Sequence, residues 1–328
     1  MAAAKVALRR CENYDPDAVT QAVGRQFELL GGVEQFVKRG DRVLLKPNFI
    51  APRAPGRHPA QTHPSVIVAV AALLKDYGAK PFVADSPAWT DAKTCARVLG
   101  LTQPLAKLDV PILEMRASRS CSFGPGKPRV KLSTLALDAD AIVNLPKFKS
   151  HQQLVTTFAI KNMFGCVSGK RKALWHFRAG DDAAQFCILL IDIYRRLAPA
   201  VTIVDGIVAM EGQGPIRGTS KPLGWLIAGA DAIACETVCC QLVDAQPDQI
   251  PVLRTARQIG FGCSALDEIE ILGDPLPAEP CRDFQWAIQS PVKFSLYHVC
   301  RSALRQLLLL AGAVKPPEPV EYGQSVEV

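Results

Sequence analysis

Arg42-Val-Leu-Leu-Lys46, Pro64–Tyr77 (PSVIVAVAALLKDY) and Pro81-Phe-Val-Ala84 follow one another along the chain. The first is a short apolar run stopped by Pro47, and the third is another. The middle segment opens on Pro64 and closes on Gly78. That order suits a helix, because proline's fixed φ fits the first helical position and glycine's freedom fits the residue past the last. Strand, helix and strand in succession argue for a parallel or mixed sheet covered by helices.

The same alternation extends in both directions. Lys5–Arg9 reads as a strand and Pro16–Leu30 as a helix ended by Gly31-Gly32. Thr90–Leu99 is a helix ended by Gly100, and Ala139–Leu145 a buried strand ended by Pro146. Gln153–Phe164 is expected to be helical. Asp181–Leu197 is a clearer helix, with Asp182 and Gln185 spaced as a capping box. Val201–Asp205 and Leu223–Ala228 are strands, and Asp231–Leu242 and Gln249–Ile259 helices. The expected fold is α/β, with a mixed or mainly parallel sheet covered by helices, in one large domain or two joined lobes. Residues 1–273 form that domain. Residues 274–328 supply a Pro-rich linker, a C-terminal helix over Val292–Leu310 and a tail from Lys315.

The 328 residues are 48% hydrophobic and 21% charged, a globular balance with enough apolar surface for a full core. No apolar run reaches the roughly 18 residues of a membrane span. Met1-Ala2-Ala3-Ala4-Lys5 runs straight into a strand without the apolar core of a secretory signal. The eleven cysteines are scattered and odd in number, which fits reduced thiols in the cytoplasm better than a disulfide framework. The net charge of +7 is concentrated: residues 124–178 hold ten Lys or Arg against two Asp. Such an excess concentrates anions. Apolar segments interrupt it and no nucleic-acid motif accompanies it, so a small anionic partner is expected rather than nucleic acid. A homo-oligomer could form.

Ligands of open α/β sheets bind beyond the carboxyl ends of the strands. Four expected strands end in polar residues: Lys46-Pro47-Asn48, Asp85-Ser86, Lys147-Phe148-Lys149-Ser150-His151 and Asp205-Gly206. If the strands are parallel, these tips share one edge. Thr62 or His63 could cap the helix at Pro64 and aim its N–H groups at an anion. Thr157, Lys161 and Asn162 add a hydroxyl, a cation and an amide before Lys170-Arg171-Lys172. Met210-Glu211-Gly212-Gln213-Gly214-Pro215 reads as a glycine-rich turn carrying a carboxylate.

Lys147, His151, Asp205 and Glu211 are the expected catalytic group. Lys46, Asn48, Thr62, His63, Asp85 and Ser86 are expected ligand contacts, as are Lys149, Thr157, Lys161, Asn162, Gly212 and Gly214. Asp85, Asp205 and Glu211 could hold Mg²⁺ or do acid–base work. No Walker A order, G-x-G-x-x-G or G-x-S-x-G occurs. The five histidines include no H-x-x-x-H or H-x-H, and the cysteines no C-x-x-C. Zinc or Fe–S ligation finds no support in that spacing.

Together these segments resemble the bacterial and archaeal family called domain of unknown function 362, over about residues 42–273. The resemblance is carried by VLLKPN (43–48), THP (62–64), ADSP (84–87), VNLPKFKSH (143–151), TT and KNMFG (156–157, 161–165), His176, VDGI (204–207), AMEGQGP (209–215) and Gly218. It implies His176 as a further ligand contact. The family's D-P-V-A-x-D stands here as Asp231-Ala-Ile-Ala-Cys-Glu236, without its proline. Many relatives carry a ferredoxin-type cysteine cluster after this domain, which implies a redox role. This chain has only Cys281 and Cys300 there, so a resident cluster is not expected.

The leading expectation is an enzyme binding a phosphorylated or carboxylated small molecule. The alternatives are a redox protein served by a separate electron carrier, and a non-enzymatic anion- or nucleic-acid-binding protein.

Overall fold

The computed structural model describes residues 3–52, 59–87, 90–167, 172, 175 and 183–289. The chain begins with β1 (Ala4–Arg10), α1 (Pro16–Leu29), β2 (Arg42–Pro47), α2 (Pro64–Tyr77) and β3 (Lys80–Asp85). Then come α3 (Ala92–Val98), α4 (Thr102–Lys107), β4 (Ile112–Glu114), the small pair β5 (Ser118–Cys121) and β6 (Val130–Ser133), and α5 (Thr134–Leu137). The central run is β7 (Ala141–Leu145), β8 (Lys147–His151), β9 (Val155–Thr157) and α6 (Ala159–Asn162). Last come α7 (Ala183–Leu197), β10 (Val201–Gln213), β11 (Arg217–Gly229), α8 (Ala232–Leu242), α9 (Pro251–Gln258) and β12 (Ile269–Gly273).

Among the described residues ten strands form one sheet, in the order β12-β1-β11-β10-β7-β2-β3-β4, with β8 and β9 branching from β10. Along the main path only β11 runs against its neighbours. The fold is therefore α/β with a mixed, mostly parallel sheet. Both faces are covered, as the alternation of side chains along a strand requires. Leu44 packs into the core under α6, α7, α8 and α9, while its neighbours Val43 and Leu45 pack into the core under α1, α2, α3 and α4.

Pro146 divides β7 from β8, since proline lacks the N–H of a sheet ladder. β10 spans the break, pairing with β7 at Val201–Thr202 and with β8 at Asp205 and Met210. β2 ends where β8 begins, so β8 turns its other side to β9. From β2 the order runs to β3 and β4 on one side and to β7 and β10 on the other. A crevice at the carboxyl ends of strands whose order reverses is where such sheets bind ligands.

Three expectations need correction. Gln153–Phe164 is not one helix: Val155–Thr157 is a strand against β8, and only Ala159–Asn162 is α-helical, followed by a 3₁₀ turn. The β-branched run Val-Thr-Thr suits the pleated surface better. The Lys147–His151 segment is not merely the polar tip of the preceding strand but a wholly buried strand of its own. Glu211–Gly214 is not simply a turn, because β10 and β11 continue into it as 13-residue arms. Its glycines allow close packing: a Cβ at Gly214 would overlap the Ser150 carbonyl oxygen, and one at Gly218 that of Glu211. Asp182 of the expected capping box, His176 and the expected C-terminal helix lie outside the described residues.

Candidate functional site

Lys46, at the end of β2, is fully buried, and its Nζ lies 2.8 Å from Asp85 Oδ1 at the end of β3. Nζ also donates to the Pro47 carbonyl at 2.6 Å. Asp85 accepts the N–H of Phe49 at 2.8 Å and of Ser86 at 2.7 Å. Gly165 closes over this pair: a Cβ there would stand 2.5 Å from Asp85 Oδ1 and 2.6 Å from Lys46 Nζ. Lys172 donates to the carbonyls of Ser86 and Gly165. Burial pulls its ammonium pKa down to about 8, against the opposing pull of Asp85.

Asn162 ties β2 to β7. Its Nδ2 donates to the Lys46 carbonyl at 3.0 Å and to Asn144 Oδ1 at 2.8 Å, and its Oδ1 accepts from Asn48 Nδ2 at 2.9 Å. Thr62 donates to the Leu145 carbonyl at 2.6 Å and accepts the N–H of Asn48 at 2.8 Å. Glu236 on α8 accepts the N–H of Ile160 at 2.8 Å, holding the short helix that carries Asn162 and Lys161. Burial raises its carboxyl to about 8.

A second ion pair joins Lys147 Nζ to Asp205 Oδ2 at 2.9 Å, with both side chains out of solvent. Tyr14 completes it. Its hydroxyl donates to Asp205 Oδ1 at 2.7 Å and accepts from Lys147 Nζ at 2.6 Å and from the Val208 N–H at 3.1 Å. A register shift in β10 between Gly206 and Val208 interrupts the ladder beside that last N–H. Burial and then Asp205 hold the Tyr14 phenol well above its ordinary range, while burial lowers Lys147 against the pull of Asp205. The His63 ring stacks on Tyr14 with centroids 3.6 Å apart. Its Nδ1 caps α2 by accepting the Ser65 N–H, and the His63 backbone N–H donates to Asp205 Oδ2 at 2.9 Å. Burial, then Asp205 in opposition and Lys147 in support, leaves His63 with a pKa of about 3.

Lys149 differs from both paired lysines. It is 1% exposed, and its Nζ donates to Asn48 Oδ1 at 2.7 Å and to the Ala60 carbonyl at 2.8 Å, both neutral acceptors. Burial, then the charge of Lys161, drives its pKa well below the ordinary lysine value, and Lys147 and Lys46 push the same way against Asp85. Lys161 is lowered to about 8 by burial and by Lys172. Five lysines thus meet two aspartates at this edge among the described residues.

The geometry therefore gathers Lys46, Asn48, Thr62, His63, Asp85, Ser86, Lys147, Lys149, Thr157, Lys161, Asn162 and Asp205. Glu211, Gly212 and Gly214 lie instead along the far arm of the β10–β11 hairpin. There Glu211 accepts the Gln285 N–H at 2.9 Å and the Gly212 N–H donates to the Gln285 carbonyl at 2.7 Å. His151 Nδ1 accepts the N–H groups of Gln153 and Leu154. Asp85 and Asp205 are each engaged by an ammonium and by N–H donors. Among the described residues no group of three or more His, Cys, Asp or Glu is arranged to hold a metal ion.

Tyr14, Asn144, Lys172 and Gly165 belong to this constellation and were not among the expected site residues. Tyr14 had a usable signal. It follows β1, which runs parallel to β10, and stands just before the helix start Asp15-Pro16, so its loop opens on the same edge.

A model of the family described as Domain of unknown function (DUF362) matches residues 43–241. A thylakoid-associated protein of Synechocystis sp. is 38% identical over 325 residues, which cover 98% of this chain and 99% of that protein. Among solved structures, the lactate racemase apoprotein of Thermoanaerobacterium thermosaccharolyticum is similar over 71% of this chain, with a TM-score of 0.45 and 11% identity. The chain spans 56% of that racemase's length.

Proposed function

The chain belongs to the DUF362 family, and on that footing we propose that it is an enzyme acting on a small molecule with a phosphate or carboxylate group. The group binds where the end of β2 meets β8, at Lys149 and Lys161. One observation carries this reading: among the described residues Lys149 is buried without a carboxylate partner while Lys161 acts on it. A buried cation without a counter-charge is costly to the fold. An arriving anion relieves that cost and binds more tightly for it. Lys147, Asp205 and Tyr14 form a hydrogen-bonded unit next to this position, suited to proton transfer or to holding a reacting oxygen. His63, kept neutral by its surroundings, fixes Tyr14 by stacking.

Thermal melts with phosphorylated and carboxylated metabolites test the reading, together with mass spectrometry of whatever co-purifies. A true ligand at about 100 times its Kd stabilises by about 2.7 kcal/mol. Lys149→Met should abolish that response. A full response in the variant, or none in the wild type to any anion, removes the proposal.

The expected setting is the cytoplasm. The relative's thylakoid association favours a second reading, in which the chain works at a membrane surface. Among the described residues no helix is long and apolar enough to cross a membrane. Fractionation of the expressed protein, with a salt wash of the membrane pellet, separates the two settings.

A further inference from the structure

Thr157 is 3% exposed, and its Oγ1 is buried without a hydrogen-bond partner. No other residue gathered at this edge has such an atom among the described residues. A hydroxyl in that state destabilises the fold that holds it, because it left water for nothing in return. Its position is informative. Thr157 on β9 stands directly opposite Lys149 on β8. Directly opposed residues of an antiparallel pair project from the same face. Lys149 extends along that face to Asn48 and Ala60. Lys161 follows four residues later on α6, and its charge adds to burial in lowering the Lys149 amine. An unsatisfied donor therefore stands opposite one lysine and four residues before another, neither paired with a carboxylate among the described residues.

We infer that Lys149, Thr157 and Lys161 form an oxyanion subsite, in which the Thr157 hydroxyl donates to one oxygen of a carboxylate or phosphate group while the two lysines balance its charge. This rests on the anion-binding reading above and adds the group that orients the anion. An ammonium attracts from any direction, whereas the hydroxyl donates only to an oxygen on its own line. Thr157 thus selects for the placement of the anion, and the lysines for its charge.

Thr157→Val keeps the shape and removes the donor. In the free protein it breaks no hydrogen bond, so its melting temperature should equal or exceed that of the wild type. Binding is measured by calorimetry with inorganic phosphate in one arm and malonate in the other, at matched ionic strength. Affinity for whichever anion binds should fall about tenfold or more, as expected for one lost hydrogen bond to a charged group. Thr157→Ser should recover most of it. If Thr157→Val binds like the wild type while Lys149→Met does not bind, the subsite is refuted and the broader function stands. If both variants bind like the wild type, or the wild type binds neither anion, both fall. A lower melting temperature in Thr157→Val with unchanged affinity would make the hydroxyl structural and also refute the subsite.

Discussion

Lys147 and Lys149 are two residues apart on β8, each 1% exposed, yet replacing each by Met should have different consequences. Both substitutions keep a long side chain and remove a charge. Without Lys147, Asp205 remains buried with only the Tyr14 hydroxyl and the His63 N–H as donors. Removing one member of a buried pair costs about 3–5 kcal/mol, and the two surviving donors put this case at the lower end, about 3 kcal/mol. Lys149→Met forfeits two hydrogen bonds to neutral acceptors, worth about 1 kcal/mol each. It also removes an amine opposed by burial and by three neighbouring lysines, which offsets most of that loss. The expected net is within about 1 kcal/mol of zero, leaving a gap of about 2–4 kcal/mol between the variants. Urea unfolding of both proteins, read as midpoints at a common slope, resolves a gap of that size. Equal losses would mean that Lys149 has a counter-charge after all. Losses below about 1 kcal/mol for Lys147→Met would mean that its pairing with Asp205 does not hold the site.

Gly165→Ala drives a methyl group into Lys46 and Asp85. It should cost about 1–3 kcal/mol in a thermal melt and abolish any anion response; an unchanged melting temperature refutes the tight contact. The acid limb of stability should belong partly to His63, whose pKa drops from an ordinary 6.5 to about 3 on folding. The unfolded chain binds the extra proton between those values, so stability is lost as pH falls through that window, by up to about 1.4 kcal/mol per unit. Glu236 has the opposite sign: its pKa rises from 4.5 to about 8, so its contribution is lost as pH rises between them. His63→Asn, which can still cap α2, should flatten the first limb and Glu236→Gln the second; slopes equal to the wild type's would refute each assignment. Tyr14→Phe should lose about 2 kcal/mol, and its effect should be non-additive with Asp205→Asn in a double-mutant cycle, where simple additivity would deny the shared network.

Much of the fold was legible because short-range signals decide it. Pro64 and Gly78 bracket α2 to the residue, and apolar runs mark β2, β3 and β7 to within two residues at either end. The polar ends of β2 and β3, the lysines of β8 and Asp205 within β10 share one edge because those strands are parallel, and runs of Val, Leu and Ile are what fully covered parallel strands require. The failures have a common cause. Lys147-Phe148-Lys149 reads as a polar strand tip, since nothing nearby in sequence shows that Asp205 and Asn48 will absorb its two amines. The glycines from Gly212 to Gly218 read as a turn, because their real reason is the approach of Ser150 and of the hairpin's own carbonyl. Which lysine would lack a carboxylate depends on partners 58 and 101 residues away, beyond any local pattern.

The Tyr14 oxygen serves a carboxylate, an ammonium and a backbone N–H at once. That arrangement restricts inheritance. A lineage that loses this phenol leaves Lys147 and Asp205 each short of a partner in a dry place, and repairing either alone worsens the other. Positions 14, 147 and 205 should therefore drift through evolution as one character, altered together or not at all. A covariation among these distant positions would record that constraint across species in which the protein has never been purified.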